Sequence, residues 1–323
     1  MVENKSLETP ILLFSLDTEI AWGFHDKDEL PKNRIESARS SLKDILRLFD
    51  KYEIPATWAV VGHLFLEECD GKHEDYPLGK EWFERDPGGD VEENPNWFGS
   101  DLIKEISDAK VDHEIGCHSF SHIEFDSVSR EGIEWELENC LEAAKRMGID
   151  LESFVFPRNR VGHRDLLKKY GFVSYRGNEP PSWYDRLSLQ RRGLITNNIR
   201  RGGKFLDFTT FRTKPSIVEP VIDDYGLVNI PASLDVYCFE GKAREISEKF
   251  IGDPVVSKIK KGLDYITENN GILHLWFHPN NLTQEKDLDR LVKICKYVNR
   301  KKEKGSLKVK TMKEVAKETI EGT

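Results

Sequence analysis

The stretch HEIGCHSFSH, residues 113–122, contains two histidines, His118 and His122, that lie four positions apart. Nine histidines in 323 residues would give about 0.25 such pairs by chance, so this spacing alone is weak evidence for a metal site. Two imidazoles and one carboxylate are a common ligand set for a catalytic divalent ion, and they leave a coordination position open for water. The pair therefore indicates a metal centre only if a carboxylate from elsewhere in the chain joins it.

Polar side chains also stand at the ends of three other predicted strands. The segment ILLFSLDTE ends in Asp17 and Glu19, SFVFPRN contains Arg158, and ILHLWFHP ends in His278. In barrel-like α/β folds the catalytic groups project from the C-terminal ends of the strands, where the loops converge. These side chains are therefore expected to meet the histidine pair at one rim of the fold.

A second histidine pair with the same spacing, His274 and His278, does not predict a second metal site. On a strand the two side chains share a face but lie roughly 13 Å apart, which is too far to bind one ion. Gly271 before the segment and Pro279 after it favour a strand over a helix. His278 is then available for proton transfer, and His274 is expected to lie deeper in the fold, hydrogen bonded and inert.

Short apolar runs alternate with amphipathic helical patterns along the chain. Apolar residues repeat at helical spacing in residues 42–49, 133–144 and 259–266. Such alternation of strands and helices predicts a parallel α/β fold. The predicted strands are residues 11–17, 56–62, 113–119, 153–159, 172–177, 227–232, 272–279 and 306–311.

Two regions lack a clear period. Residues 66–100 are polar and rich in turn residues, which predicts a long insertion between the second and third strands. This insertion is either a lid over the site or a decoration without a role. Residues 178–225 carry basic residues that either contact an anionic group of a substrate or belong to an ordinary solvated loop. His63, at the end of the second strand, is expected to line the cleft without a catalytic role.

Composition and charge exclude several classes of protein. With 38% hydrophobic residues the chain can bury a substantial core, while a net charge of −9 and a pI near 5.6 argue against binding to nucleic acid or an anionic membrane. Five cysteines without a C-x-x-C pair favour a reducing compartment. The apolar run ILLF near the start is too short for a signal peptide or a membrane span, so a cytoplasmic protein without a membrane span is expected.

These motifs resemble the NodB-type polysaccharide deacetylases of carbohydrate esterase family four. The resemblance extends over roughly residues 10–125 and 150–320, and it depends on FSLDTE, IPATWAVVGHLFLEE, HEIGCHSFSH, FVFPRN and LHLWFHP, which occur in this order. It implies a deformed (β/α) barrel of about seven parallel strands. A single catalytic domain over residues 1–323, with the insertion at about 66–100, is the expected organisation.

The resemblance also implies roles for individual residues. His118 and His122 match the metal-binding histidines of the family, and Asp17 matches the aspartate that acts as general base. His278 matches the late histidine that protonates the leaving group.

Two positions depart from the family pattern. The family usually has two adjacent aspartates in its first motif, but Thr18 follows Asp17 here, so Glu19 is expected to be the third metal ligand. The family usually places an arginine before a proline in its third motif, where it orients the catalytic aspartate. Here Arg158 follows the proline and is expected to take this role, with Arg160 as the alternative.

The tryptophans divide into two predicted groups. Aromatic rings in loops near a cleft can stack on sugar rings, whereas those inside elements pack in the core. The predicted sugar-binding residues are Trp22, Trp97 and Trp183, and the predicted packing residues are Trp58, Trp135 and Trp276.

The implied function is a metal-dependent hydrolase that removes an N-acetyl or other acyl group from an amino sugar or a polysaccharide precursor. Zinc is the expected ion, and cobalt, manganese or iron also suit these ligands. A cytoplasmic enzyme would meet a free, nucleotide-linked or lipid-linked amino sugar rather than finished polymer. The alternative is a carbohydrate-binding or regulatory protein on the same barrel that has lost turnover, because Thr18 and the displaced arginine depart from the family. The sequence does not indicate the oligomeric state.

Overall fold

The computed structural model describes residues 9–189, 194–211 and 213–322, and one long strand lies at the centre of their sheet. This strand, β1 (Pro10–Thr18), is apolar on successive positions and is buried on both faces, as expected for a parallel strand covered on each side. It pairs with a later strand in register from Pro10 opposite Gly271 to Leu16 opposite Phe277. This pairing brings the ends of the first and last functional motifs side by side.

Every strand that the sequence predicts is present, although most are shorter than predicted. Four additional strands of two residues each complete the set. After β1, the strands are β2 (Thr57–Val60), β3 (Glu68–Cys69), β4 (Gly89–Asp90), β5 (Glu114–Cys117), β6 (Ser153–Val155), β7 (Ser174–Gly177), β8 (Val221–Ile222), β9 (Val228–Pro231), β10 (Leu234–Asp235), β11 (Gly271–Phe277) and β12 (Lys308–Lys310).

The main sheet is parallel except at one edge, and it curls into a deformed barrel. Its strand order is β10-β11-β1-β2-β5-β6-β7-β9-β8, and β12 pairs with β1. Among the described strands of this sheet, only the short strand β8 runs antiparallel to its neighbour. Two consecutive strands, β9 and β10, pair with opposite sides of the sheet, β7 and β11. Residues 231–234 therefore bridge the two sides, and the predicted barrel-like fold is confirmed.

Helices cover the outside of the sheet. The three predicted amphipathic patterns lie in α1, α3 and α8 and bury their apolar faces. Residues 178–225, predicted to be irregular, instead contain α5 and α6. The described helices are α1 (Lys32–Tyr52), α2 (Ser100–Ser107), α3 (Arg130–Arg146), α4 (Arg164–Lys169), α5 (Trp183–Leu189), α6 (Leu194–Leu206), α7 (Lys242–Ile251), α8 (Pro254–Asn269), α9 (Glu285–Glu303) and α10 (Met312–Glu321).

The insertion at residues 66–100 has little regular structure. It contains the two-stranded antiparallel pair β3–β4 and a short 3-10 helix at Lys80–Phe83. In the described part of the chain, every helix is too short or too polar to span a lipid bilayer.

A buried ion pair fixes the start of α8 against α9. Asp253 caps α8 by accepting hydrogen bonds from the backbone N–H groups of Val255 and Val256, at 2.9 and 3.3 Å. Its other oxygen accepts a 2.6 Å hydrogen bond from Arg290 Nε, and the Arg290 side chain is fully buried. Removing one partner of a buried pair is costly because the other charge stays out of water.

Asp253→Ala is therefore expected to lower the free energy of unfolding by about 3–5 kcal/mol, measured by urea denaturation. Asp253→Asn keeps an acceptor for the cap and should lose less. Asp253→Ala combined with Arg290→Met should regain part of the loss. A loss of only about 1 kcal/mol in Asp253→Ala, the value of a cap alone, would contradict a role for the ion pair.

Candidate metal centre and active site

The end of β1 presents two carboxylates, Asp17 and Glu19, to the rim of the barrel. Both side chains are buried. After Glu19 the chain turns back through Ile20, which has a φ of 50°, into a short helical turn at Trp22–Phe24. This turn packs on the carboxylate so closely that a Cβ atom on Gly23 would lie 1.9 Å from Glu19 Oε2. The turn therefore holds the Glu19 side chain in place.

The loop after β5 carries His118 and His122 in a conformation that needs support. Ser119 and His122 have φ values of 59° and 64°, a left-handed conformation that costs a non-glycine residue roughly 1–3 kcal/mol. The buried carboxylate of Glu136, on α3, accepts hydrogen bonds of 2.8 Å from the backbone N–H groups of Phe120 and Ser121. These bonds hold the loop in the shape that turns both imidazoles inward.

The two imidazoles meet Glu19. His118 Nε2 lies 3.4 Å and His122 Nε2 3.1 Å from Glu19 Oε1, and one donor atom from each of the three side chains lies within 4.8 Å of the others. His118 Nδ1 lies 2.8 Å from the carbonyl of Val155 and must donate to it, which leaves the Nε2 lone pair facing Glu19. Such a backbone partner for the second ring nitrogen is typical of histidines that bind metal. The donor set fits a divalent ion of the zinc or iron type.

Asp17 is held by an arginine that the sequence analysis did not select. Arg176, on β7, is buried and donates to both oxygens of Asp17, at 2.6 Å from Nη1 and 2.7 Å from Nη2. Burial would raise the pKa of Asp17, but Arg176 and the neighbouring imidazoles outweigh it and lower this pKa. Asp17 is therefore a fixed, ionised carboxylate beside the candidate metal ligands.

The prediction for Arg158 and Arg160 is corrected by this contact. Arg158 Nη2 contacts both carboxylate oxygens of Asp26, at 2.5 and 2.6 Å, and Nη1 donates to Glu124 at 2.8 Å. Arg160 pairs with Glu124 as well. Both arginines are engaged at the protein surface because the chain after β6 turns through a short 3-10 helix that points their side chains there.

A chain of hydrogen bonds continues from Arg176 to His274. Arg176 Nη1 donates to Ser15 Oγ at 3.1 Å, and Ser15 Oγ lies 2.9 Å from His274 Nε2. His274 Nδ1 lies 3.1 Å from the carbonyl of Pro231 and donates to it, so Nε2 accepts the Ser15 proton and the ring is neutral. His274 is buried and hydrogen bonded, as the sequence predicts, and it stabilises Arg176 through the hydroxyl of Ser15.

His278 faces the carboxylates from the opposite side of the rim. Its Nε2 lies 3.2 Å from Glu19 Oε1 and 3.7 Å from Asp17 Oδ2, and its side chain is 22% exposed. Burial would lower the pKa of His278, but Glu19 and Asp17 raise it to about 9. The His278 side chain is more accessible than those of Asp17 and Glu19, and with its raised pKa it carries a proton at neutral pH.

The tryptophans are not arranged as predicted. Trp22 is fully buried, its ring lies 4.4 Å from that of His63, and its Nε1 donates to the carbonyl of Trp97. It is therefore a packing residue and not a sugar platform. Trp97 is half-buried against Trp22, and Trp183 is 37% exposed and donates to Asp207. A sugar-binding role for these two stays a prediction.

Trp276, predicted to be a packing residue, lies at the site instead. The guanidinium of Arg176 lies 4.5 Å from the centroid of the Trp276 ring, and the ring of His278 lies 5.6 Å from that of Trp276.

One feature of the sequence pointed to Arg176. An arginine in the middle of the predicted strand FVSYRG has to be buried with a partner, and the carboxylates at the other strand ends are the available partners.

Residues 26–173 match the family model for polysaccharide deacetylases. The resemblance to polysaccharide deacetylases is thereby confirmed. The matched region includes His118 and His122 of this deacetylase-like chain, but it begins after Glu19 and ends before Arg176. Among curated proteins no match is found.

Solved structures agree on the fold. A candidate polysaccharide deacetylase from Mycobacterium smegmatis has 14% identity and a TM-score of 0.62, and the alignment covers 97% of this chain and 91% of that one. A candidate polysaccharide deacetylase from Pseudomonas aeruginosa PAO1 has 12% identity and a TM-score of 0.55, with coverages of 95% and 89%. PuuE allantoinase has 14% identity, a TM-score of 0.57 and the same coverages. At these identities the likeness establishes the shared barrel and nothing finer.

The neutral state of His274 leads to a prediction for acid stability. Burial and Arg176 lower the pKa of His274 to about 3 in the folded protein, whereas an unfolded histidine titrates near 6.5. The unfolded chain therefore binds one more proton between these values, so the stability of the fold decreases as the pH falls from about 6.5 towards 3.

In His274→Gln the pH dependence of the free energy of unfolding should become shallower by up to about 1.4 kcal/mol per pH unit in this window. Urea denaturation at pH 6, 5 and 4 measures both slopes. An identical slope in wild type and variant would show that His274 is already protonated in the fold.

Proposed function

We propose that this protein is a metal-dependent hydrolase that removes an acetyl or related acyl group from the nitrogen of an amino sugar. The observation that carries the proposal is the convergence of Glu19, His118 and His122 beside a fixed carboxylate, Asp17, with His278 on the opposite side. The match to polysaccharide deacetylases supports the same reaction class. Zinc is the ion that we expect at this centre.

Glu19, His118 and His122 would hold the ion through one carboxylate oxygen and two Nε2 atoms. When bound, such an ion lowers the pKa of a coordinated water and polarises a carbonyl oxygen. Each ligand is already directed by its surroundings: Glu19 by the Trp22–Phe24 turn, and both histidines by the loop that Glu136 supports. The protein therefore provides a preorganised site that needs little rearrangement.

Asp17 is the general base in this proposal. It lies beside the ligands and is ionised, and Arg176 fixes both of its oxygens, so that it can accept a proton from the attacking water. Arg176 does not touch the reacting atoms and is a positioning residue.

His278 is the general acid. Its Nε2 lies on the more open side of the cluster, where a leaving amine would depart, and the neighbouring carboxylates favour its protonated form. In this proposal Asp17 takes a proton from the attacking water, and His278, whose Nε2 lies 3.7 Å from Asp17 Oδ2, gives a proton to the leaving amine.

The proposed substrate is an N-acetylated amino sugar, free or attached to a nucleotide or lipid carrier, and the proposed location is the cytoplasm. Release of acetate from soluble and carrier-linked amino sugars would identify the substrate, and activity on long polymers alone would contradict this assignment.

Asp17→Asn is expected to lower kcat by about 100- to 10,000-fold, because the base is lost while the shape of the site is kept. Metal analysis should find the same ion content in Asp17→Asn as in the wild type. Glu19→Ala should lose both activity and one ion per chain. Asp17→Asn with undiminished turnover, or a wild type with bound metal and no activity on any acylated sugar, would contradict the proposal and favour a binding protein.

Arg176→Lys is expected to lower kcat by about 10- to 100-fold, because lysine keeps the charge but cannot hold both oxygens of Asp17. The weaker partner should also raise the pKa of Asp17, so the acid limb of the profile of kcat/KM against pH should move to higher pH. A merely structural defect would leave this limb in place.

Arg158→Lys serves as the control for this experiment, because Arg158 is paired with Asp26 and Glu124 at the surface. Its acid limb should coincide with that of the wild type. A shift in Arg158→Lys and none in Arg176→Lys would reverse the assignment.

A further inference from the structure

Four potential metal ligands converge at a second place, within and beneath the insertion. His63, Cys69, His73 and Asp86 each direct one donor atom to a common point, and these atoms lie within 4.8 Å of one another. Asp86 Oδ2 lies 3.0 Å from His63 Nε2, 2.8 Å from His73 Nε2 and 3.7 Å from Cys69 Sγ. Cys69 Sγ lies 3.3 Å from His73 Nε2. Atoms bound to one tetrahedral zinc ion lie roughly 3.3–3.8 Å apart. The two distances from Cys69 Sγ fall in this range, and the two histidine–carboxylate distances are shorter, so the side chains would move apart slightly around an ion.

Three of the four residues belong to the insertion, and the fourth belongs to the barrel. Cys69 ends β3, and Asp86 comes shortly before β4, so the antiparallel pairing of these strands brings the two residues together. His73 lies in the loop between them. His63 follows β2, the strand from which the insertion departs, and its side chain is fully buried rather than lining the cleft.

Hydrogen bonds join His73 to Asp86 and to Cys69, but they leave the ring of His63 without a partner among the described residues. His63 Nε2 is buried and close to Asp86 Oδ2, but it makes no hydrogen bond of acceptable alignment. Both Nε2 atoms are directed at the same carboxylate oxygen and neither has another acceptor besides the thiol of Cys69. A buried imidazole nitrogen without a hydrogen bond is costly, and a cation at the common point would satisfy all four donor atoms at once.

Backbone groups support the two anionic members. The N–H of Gly71 donates to Cys69 Sγ at 3.4 Å, and the N–H of Gly88 donates to Asp86 Oδ1 at 3.1 Å, which leaves Oδ2 free to face the centre. Outer hydrogen bonds of this kind orient metal ligands. A thiolate, a carboxylate and two neutral imidazoles would also balance the charge of a divalent cation, so the buried site would be neutral.

We propose that His63, Cys69, His73 and Asp86 bind a structural zinc ion that closes the insertion and attaches it to the barrel. A thiolate with two imidazoles selects zinc over magnesium or calcium, which prefer oxygen ligands. Four protein ligands fill a tetrahedral shell, and a filled shell is typical of structural rather than catalytic zinc. The insertion is then a fixed wall and neither a mobile lid nor a decoration.

Residues at this second site contact the two segments that position the candidate catalytic ligands. The backbone N–H groups of Gly62 and His63 donate to the carbonyls of Ser119 and Phe120, at 2.7 and 2.9 Å, in the loop that carries the active-site histidines. The ring of His63 also packs against that of Trp22, in the turn that holds Glu19. Loss of the structural ion would therefore loosen both segments that position the candidate catalytic ligands.

The test separates the two sites by variants that each remove only one of them. Glu19→Ala/His118→Ala removes the active-site ligands, and this protein should still contain one zinc per chain by elemental analysis. Cys69→Ser should contain one zinc fewer than the wild type. Cys238→Ser, a free cysteine outside the cluster, is the matched control and should keep the wild-type content.

Cobalt replacement gives a readout that needs no catalysis. Because the active site offers only nitrogen and oxygen donors, cobalt bound there gives no thiolate charge-transfer band. Glu19→Ala/His118→Ala loaded with cobalt should show this band in the near ultraviolet, and Cys69→Ser should lack it. Absence of the band in Glu19→Ala/His118→Ala, or absence of zinc from that variant, would overturn the proposal while leaving the proposed hydrolase unaffected.

Wild-type protein provides a check that does not depend on whether the variants fold. Alkylation of Cys69 by iodoacetamide, followed by peptide mapping, should be slow in the metal-loaded protein and at least about tenfold faster after treatment with a chelator. Equal rates before and after would overturn the proposal. Fast alkylation in both cases would instead indicate that Cys69 is a nucleophile activated by the neighbouring histidines.

Discussion

The ion pair between Asp17 and Arg176 is the interaction on which the architecture of the site depends. Both side chains are almost completely removed from water, and a buried pair is stable only when its geometry is good and its remaining polar atoms have partners. The two Nη atoms of Arg176 meet this condition through two bonds to Asp17, one to Ser15 and one to Asn159, and Trp276 lies against the guanidinium face, whereas the buried Nε has no hydrogen-bond partner in the described part of the chain. The partners come from the full width of the sheet.

The same pair requires the sheet to curl. Asp17 lies on β1 and Arg176 on β7, and β2, β5 and β6 lie between them. In a flat sheet four strand spacings would separate the two by roughly 19 Å, yet their atoms are 2.6 Å apart. Asp17 can therefore contact Arg176 only because the sheet closes into a barrel. Residues 231–234 complete this closure.

Sequence periodicity and strand-end polarity predicted the parallel α/β class and much of the site, whereas the barrel was implied by the resemblance to polysaccharide deacetylases. The strands, the principal amphipathic helices and the meeting of Asp17, Glu19, His118, His122 and His278 follow from local patterns, because parallel strands place their carboxyl ends at one edge. Arg176 was missed because its partner is distant in sequence and only the curvature of the sheet brings them together. Trp22 was misassigned because its burial depends on the insertion, which has no period to interpret. The cluster of His63, Cys69, His73 and Asp86 was missed for the same reason: its spacing has meaning only after β3 and β4 have paired.

The close packing of Gly23 against Glu19 has a further consequence for how this protein tolerates change. Any side chain at position 23 would occupy the space of the carboxylate oxygen, so even alanine would push a candidate ligand away from its ion. Gly23 has no functional side-chain atoms, yet its position is as restricted in the residues that it can accept as that of Glu19. In natural variation this position should be as intolerant of substitution as the candidate metal ligands, although a glycine has no functional atoms that would mark it as part of a site.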